Sequence, residues 1–165
     1  MLVFLLGYMS SGKSFHGLKN SKKLGVAYYD LDSLIELQFN DSIKQIFQKY
    51  GENYFREIER DVLLNTQFHN NAIVSTGGGT PCFYNNMEFM NSIGTTIYLQ
   101  LSVSQLVNNL STGDHRPLIS KQKDLYKFVK SQLVLREPIY LHSDYVIDMN
   151  TDHENKLFNL LKTLF

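Results

Sequence analysis

Leu2-Val3-Phe4-Leu5-Leu6-Gly7-Tyr8-Met9-Ser10-Ser11-Gly12-Lys13-Ser14 decides the reading of this 165-residue chain. Five apolar residues run without a gap into G-x-x-x-x-G-K-S, and the segment from Lys13 to Lys23 is compatible with a helix. Strand, glycine loop and helix in that order suit a phosphate group, because backbone N–H groups then point inward at an anion and the positive end of the helix faces it. Read this way, Gly7, Ser10, Ser11 and Gly12 cradle the phosphates of a nucleotide, Lys13 reaches the β- and γ-phosphates, and the Ser14 hydroxyl holds Mg²⁺. The competing reading is a Gly/Ser-rich structural turn, which has no need of a buried-type strand on one side and a helix on the other.

Length and composition narrow what such a chain does. Its size fits one domain with a substantial core and leaves little room for a second. Sixteen basic residues balance sixteen acidic ones, so the broad basic surface of a non-specific nucleic-acid binder is missing and a small-molecule partner is favoured. Cys82 is the only cysteine and cannot form an internal disulfide, and no secretory pattern precedes the first strand, so a cytoplasmic location is expected. The longest apolar stretch, Leu2 to Leu6, falls far short of the ~20 residues of a membrane-spanning helix, and no membrane partner is expected. The histidines, His16, His69, His115, His142 and His153, are scattered, and no zinc site is expected.

Short β-rich runs alternate with longer helical patterns, the signature of a parallel sheet covered by helices. The strands are expected at Leu2–Leu6, Val26–Tyr29, Ala72–Ser75, Thr95–Leu99 and Tyr145–Ile147. Helices are expected near Lys13–Lys23, Leu34–Gln38, Ser42–Tyr50, Tyr54–Gln67, Asn85–Asn91, Ser104–Leu110, Leu125–Glu137 and His153–Leu164. In the last of these, Leu157, Leu160, Leu161 and Leu164 form a stripe that reads as core. Ser111 to Lys123 is polar and holds Gly113 and Pro117, and it reads as a mobile lid.

Three further clusters carry chemistry. Tyr29-Asp30-Leu31-Asp32 places two carboxylates at the C-terminal edge of the second strand, where ligands of open α/β sheets bind. One can face Mg²⁺ and the other a substrate hydroxyl, although a helix N-cap at Asp32 would also account for it. The sixteen basic residues include only four arginines. Arg56 lies at the edge of a Phe55, Ile58, Val62 stripe with Glu59 one turn on, which suits a guanidinium held for an anion. Arg60 reads as a surface ion pair with Glu57 or Asp61. Val129, Leu133, Arg136 and Tyr140 continue one another at helical spacing, so Arg136 puts a fixed charge into an apolar stripe and needs either an internal carboxylate or a ligand one. Gly77, Gly78 and Gly79 follow the third strand, where glycine lets the backbone approach a ligand.

In this order the phosphate loop, Asp30-Leu31-Asp32, Phe55-Arg56-Glu57-Ile58-Glu59, Gly77-Gly78-Gly79, Arg116-Pro117-Leu118 and Arg136-Glu137-Pro138-Ile139-Tyr140 resemble the shikimate kinase family over essentially the whole chain. The resemblance implies a three-layer α/β fold of the P-loop nucleoside monophosphate kinase type, with a five-stranded parallel sheet, a shikimate-binding region over 32–60 and a lid over 111–123. It implies transfer of the ATP γ-phosphoryl group to the 3-hydroxyl of shikimate by a chain expected to work as a monomer. On it, Lys13, Asp32 and Arg116 are catalytic, with Asp32 the candidate base and Arg116 the lid residue that swings onto the phosphates. Ser14 and Asp30 hold Mg²⁺, Asp30 through water. Asp32, Arg56, Glu59, Gly77, Gly78, Gly79 and Arg136 form the shikimate site, the two arginines gripping its carboxylate. Phe15, Asn109 and His153 join the loop around the nucleotide. Departures from the family pattern gather at that end: Ser10 in place of a glycine, Phe15 of a threonine, and Leu18 and Asn109 of arginines.

Three alternatives share some of these features. A gluconate-type kinase would have the loop and a polyhydroxy-acid substrate, but Arg56 with Glu59 and Arg136 fits shikimate kinase better. A GTPase switch would need an N-K-x-D motif, whereas Asn155-Lys156 is followed by Leu157-Phe158. A catalytically silent relative would bind ligand without turnover.

Overall fold

The computed structural model describes residues 1–112, 124–151 and 153–165, with the side chains of residues 153 and 154 outside that description. Five parallel strands, β1 (Leu2–Leu6), β2 (Ala27–Asp30), β3 (Ala72–Ser75), β4 (Thr95–Gln100) and β5 (Tyr145–Asp148), form one sheet in the order β2-β3-β1-β4-β5. The expected strands are all present. β2 starts and ends one residue later than its composition suggests, and β4 and β5 each run one residue further.

The central strand is apolar throughout because both of its faces are covered. Val3 and Leu5 enter one core with Ile97, Leu99, Val129, Leu157 and Leu161, whereas Phe4 and Leu6 enter another with Leu31, Ile35, Phe55, Ile58 and Val74. Alternation of side chains along one strand thus serves two layers at once. The first core is built from α1 (Lys13–Leu24), α5 (Val103–Thr112), α6 (Leu125–Tyr140) and α7 (His153–Leu164); the second takes α2 (Leu31–Phe39), α3 (Ile43–Asn65) and α4 (Asn86–Ile93). The stripe of α7 is core, as read. Among the described residues no helix is long and apolar enough to cross a membrane.

Local chemistry sets the helix ends that matter for the site. Asp30, not Asp32, caps α2, accepting from the Ser33 N–H at 3.4 Å, which leaves Asp32 in the first helical turn. Ser42 and Gln45 form a reciprocal capping box at the start of α3. That helix is broken at Gly51 (φ 81°, ψ 177°), the gap expected between the Ser42–Tyr50 and Tyr54–Gln67 patterns. α6 runs through Pro138 to Tyr140, past its expected end at Glu137, because a proline in the last turn removes only one helical hydrogen bond.

Sheet order places β1 between β3 and β4, so the chain crosses to opposite sides of β1 and leaves a crevice at its C-terminal edge. The loops after β1 and β3 and the junction of β2 with α2 open into it, and the site is built there.

Candidate active site

The loop after β1 bends where its glycines allow. Gly7 has φ 140° and Gly12 φ 90°, and a methyl group at Gly7 would lie 2.8 Å from the Leu99 carbonyl oxygen. Ser10 takes φ 62° without being a glycine. Its carbonyl accepts from Asn109 Nδ2 at 3.0 Å, so the Asn109 amide is directed to the loop backbone. The Ser11 hydroxyl is buried in the loop with no hydrogen-bond partner among the described residues. Lys13 Nζ donates to the carbonyls of Gly7 and Tyr8, at 2.9 Å each. A lysine at a helix start reads from sequence as a surface residue; here it is buried inside its own loop.

Beside the loop, Ser14 Oγ donates to Asp30 Oδ2 at 2.6 Å, and the Tyr28 hydroxyl donates to the same oxygen at 3.2 Å. Burial, reinforced by the Asp30 charge and offset in part by hydrogen bonds with Ser75 and Ser14, pushes the Tyr28 phenol up to about 12, so it stays a donor at neutral pH. Ser14 and Asp30 offer only oxygen donors next to a phosphate cradle, and one carboxylate plus one hydroxyl suits Mg²⁺, which keeps several waters and completes its shell with phosphate. The donor set fits that ion.

Further along the sheet edge, four groups converge on the glycine triplet. A methyl group at Gly77 would lie 2.7 Å from Glu59 Oε1 and 3.0 Å from Asp32 Oδ1, and one at Gly79 would lie 2.5 Å from Arg56 Nη2. At Gly78 it would meet the Met9 backbone N at 2.9 Å, tying the triplet to the phosphate loop. Glycine is required here because side chains and backbone already fill the space where Cβ would be.

Arg56 is a buried cation, 8 % exposed, held by named partners. Nη1 donates to Glu59 Oε2 at 2.8 Å, and the other Glu59 oxygen accepts from Thr80 Oγ1 at 2.6 Å. Burial raises the Glu59 carboxyl above its ordinary value, with Arg56 and Thr80 pulling the other way. On the opposite side, Nε and Nη2 of Arg56 donate to Glu52 Oε1 at 3.3 and 3.1 Å. The Phe83 ring lies 4.3 Å from the guanidinium carbon.

Arg136 is half-buried on α6, donating from Nη2 to Gln132 Oε1 at 3.1 Å, with its guanidinium carbon 5.6 Å from the centre of the Tyr8 ring. Among the described residues no carboxylate pairs with it. Both arginines act on the Cys82 thiol: burial pushes it up and their positive charges lower it. One turn beyond Arg136, the Tyr140 hydroxyl donates to the Gly78 carbonyl, which fixes α6 against the triplet.

Sequence reasoning misses several of these contacts. Nothing in the sequence assigns a role to Glu52, Thr80 or Tyr28, and Tyr140 enters only through its stripe and the Arg136-Glu137-Pro138-Ile139-Tyr140 motif. The expected Arg60 ion pair is absent: Arg60 Nη1 donates to Asn86 Oδ1 at 2.9 Å, and Asn86 Nδ2 donates to the Thr80 carbonyl at 2.9 Å. This chain of contacts props the residue that holds Glu59. Only the Tyr29-Asp30 strand end hinted at Tyr28, and nothing in spacing hinted at Asn86. Phe15 is exposed at the start of α1, its ring edge-on to His16 at 5.0 Å. Arg116 lies outside the described residues, as do all the lid positions except Ser111 and Thr112, which end α5; the side chain of His153 is likewise outside.

The sequence profile of the shikimate kinase family matches residues 9–164. A shikimate kinase from Parabacteroides distasonis is 41% identical over 149 residues, covering 88% of this chain and 86% of that one. The crystal structure of a shikimate kinase from Bacteroides thetaiotaomicron superposes with a TM-score of 0.91 at 34% identity, over 99% of this chain and 97% of the other. A shikimate kinase from Acinetobacter baumannii solved in complex with shikimate gives 0.89 at 28% identity, over 99% and 91%. With a family match across nearly its whole length and the same fold, the chain belongs to the shikimate kinase family.

Proposed function

We propose that the chain transfers the γ-phosphoryl group of ATP to the 3-hydroxyl of shikimate, forming shikimate 3-phosphate on the route to chorismate and the aromatic amino acids. The observation that carries this reading is Arg56, a buried guanidinium set on the Gly79 backbone beside Asp32 and within one loop of the phosphate cradle. Arg56 and Arg136 grip the substrate carboxylate, Glu59 orients Arg56, and Gly77, Gly78 and Gly79 let the ring lie against the backbone. Asp32 holds the ring hydroxyls and accepts the proton of the 3-hydroxyl as its oxygen bonds to the γ-phosphorus. The bond from that phosphorus to the oxygen bridging to the β-phosphate breaks, and ADP leaves. Gly7, Ser10, Ser11, Gly12 and Phe15 surround the phosphates, while Lys13 and Arg116 neutralise charge on the transferring group, where phosphoryl transfer needs it most. Mg²⁺, held by Ser14 and Asp30, would supply further charge neutralisation at the phosphates.

The same reading treats residues 1–165 as one kinase domain acting as a cytoplasmic monomer, with its shikimate-binding region over 32–60 and its lid over 111–123. It sets the gluconate-type alternative aside, because Arg56 with Glu59 and Arg136 suit a ring carboxylate. The test is ADP release from the purified chain with ATP and Mg²⁺, supplied with shikimate or with gluconate. Turnover with shikimate alone is expected. No turnover with shikimate, or faster turnover with gluconate, would overturn the assignment.

A further inference from the structure

Arg56 already faces more negative charge than it can neutralise. Glu59 takes Nη1 at 2.8 Å, and a single oxygen of Glu52 is shared by Nε at 3.3 Å and Nη2 at 3.1 Å. One fixed cation therefore meets two carboxylates, and a ligand carboxylate approaching this guanidinium meets donors that these acids already occupy.

The two partners differ in how they are held. Glu59 is fully buried and bonded to Thr80 as well. The Glu52 side chain is 53 % exposed and has no other hydrogen-bond partner among the described residues. Gly51, with φ 81°, breaks α3 immediately before it, so Glu52 opens a new helical segment whose N-terminal end favours a carboxylate even when it has left Arg56. Arg56 cannot follow it outward. Its guanidinium carbon lies 5.0 Å from the Phe55 ring centre and 4.3 Å from that of Phe83, and its Nη2 abuts the Gly79 backbone.

We propose that Glu52 is a stand-in carboxylate on the Nε–Nη2 edge of Arg56, which the substrate carboxylate displaces when it binds. A ligand carboxylate aligned with that edge makes two parallel charge-assisted bonds where Glu52 divides one oxygen between two donors, so the ligand wins the contest. A ligand without a carboxylate has nothing with which to displace Glu52, and the contact sharpens selection for an acid while lowering the affinity for it. This rests on the reading that Arg56 receives the carboxylate of shikimate.

The test compares the full chain with Glu52→Gln and Glu52→Asp, measuring shikimate and ATP dissociation constants by calorimetry and the thermal midpoint. The neutral amide weakens the competing contact and the shorter acid withdraws from it, so shikimate should bind at least ~3-fold tighter to both, with ATP affinity and midpoint unmoved. Unchanged or weaker shikimate binding in Glu52→Gln would make Glu52 a support for Arg56 and overturn the proposal. Tightening in Glu52→Gln but not in Glu52→Asp would reduce it to long-range charge and overturn the contact. If the wild-type chain binds no shikimate, the functional reading fails and this proposal falls with it; if it binds and the variants do not tighten, only this proposal fails.

Discussion

Arg56 donates to Glu59 at 2.8 Å across one turn of α3, and the carboxylate is the more deeply buried of the two, fully covered where the arginine is 8 % exposed. The acid therefore has no access to solvent, and its second oxygen depends on Thr80. Removing the acid would leave a desolvated guanidinium without its closest partner, a change that costs about 3–5 kcal/mol in buried pairs. Glu59→Ala is expected to lose stability on that scale and to weaken shikimate binding, measured by urea unfolding and calorimetry. Glu52 remains on Arg56 in that variant and sets the lower end of the range.

The same residue gives a pH dependence with a definite sign. Burial holds the Glu59 carboxyl above its ordinary value of 4.5, so it binds its proton more tightly folded than unfolded. The stability it contributes is full below the unfolded value and is lost as pH rises through the raised one. The melting-temperature gap between wild type and Glu59→Gln should be widest near pH ~4 and narrow as pH rises through the raised value. Thermal unfolding over that range decides the matter, and a gap that widened with pH would mean that pairing with Arg56 outweighs burial.

Lys13 ties its ammonium to two carbonyls of its own loop, Gly7 and Tyr8, and so shapes the cradle as well as charging it. Lys13→Met keeps most of the stem and removes the charge. Turnover is expected to fall at least ~100-fold through lost transition-state stabilisation. Because the side chain is buried, a modest drop in melting temperature should accompany it. Near-normal turnover would place the phosphate site elsewhere.

Asn109 reaches back across the site to the carbonyl of Ser10, the one loop residue with a left-handed backbone that is not a glycine. On the proposed function, this contact makes Asn109 a support for the loop and not a reader of the base. Asn109→Ala removes one hydrogen bond, worth about 0.5–1.5 kcal/mol, and should raise KM for ATP and for GTP by the same factor of roughly 2 to 10. A change in the ratio of the two nucleotides would show instead that the amide contacts the base.

Much of this architecture was legible along the chain, because its signals are local. The run Leu2–Leu6 into Gly7 announced both the buried central strand and the phosphate loop, and Arg56 with Glu59 shared a helix face by spacing alone. What escaped was contact between distant segments. Tyr140 and Gly78 are 62 residues apart, and Arg60 and Asn86 are 26 apart, so no periodicity joins them. The Asp30 and Asp32 pair shows a subtler limit: a cap is chosen by where the helix turns, and α2 begins at Leu31, three residues before the expected Leu34, so its cap falls two residues before Asp32. Glu52 was hidden for a related reason, since Gly51 redirects the chain just before it and brings an exposed acid onto a buried arginine.

Arg136 offers the sharpest separation between a ligand-binding arginine and a structural one. Its Nη2 bonds the neutral amide of Gln132, and among the described residues no carboxylate balances its charge, although Val129, Leu133 and Tyr140 of the same stripe are buried. A fixed charge left in that condition is poised for an anion from outside. If the anion is the carboxylate of shikimate, Arg136→Lys keeps the charge but loses the planar fork that matches it. Shikimate affinity should fall at least ~10-fold, about 1.4 kcal/mol, with ATP affinity nearly unchanged. The melting temperature should hardly move, since a hydrogen bond to a half-exposed amide contributes little to stability. A structural arginine would give the reverse: a lower midpoint and both substrates disturbed together. Calorimetry with each substrate and a thermal scan on one preparation distinguish the two, and a destabilised variant with unchanged shikimate affinity would remove Arg136 from the substrate site.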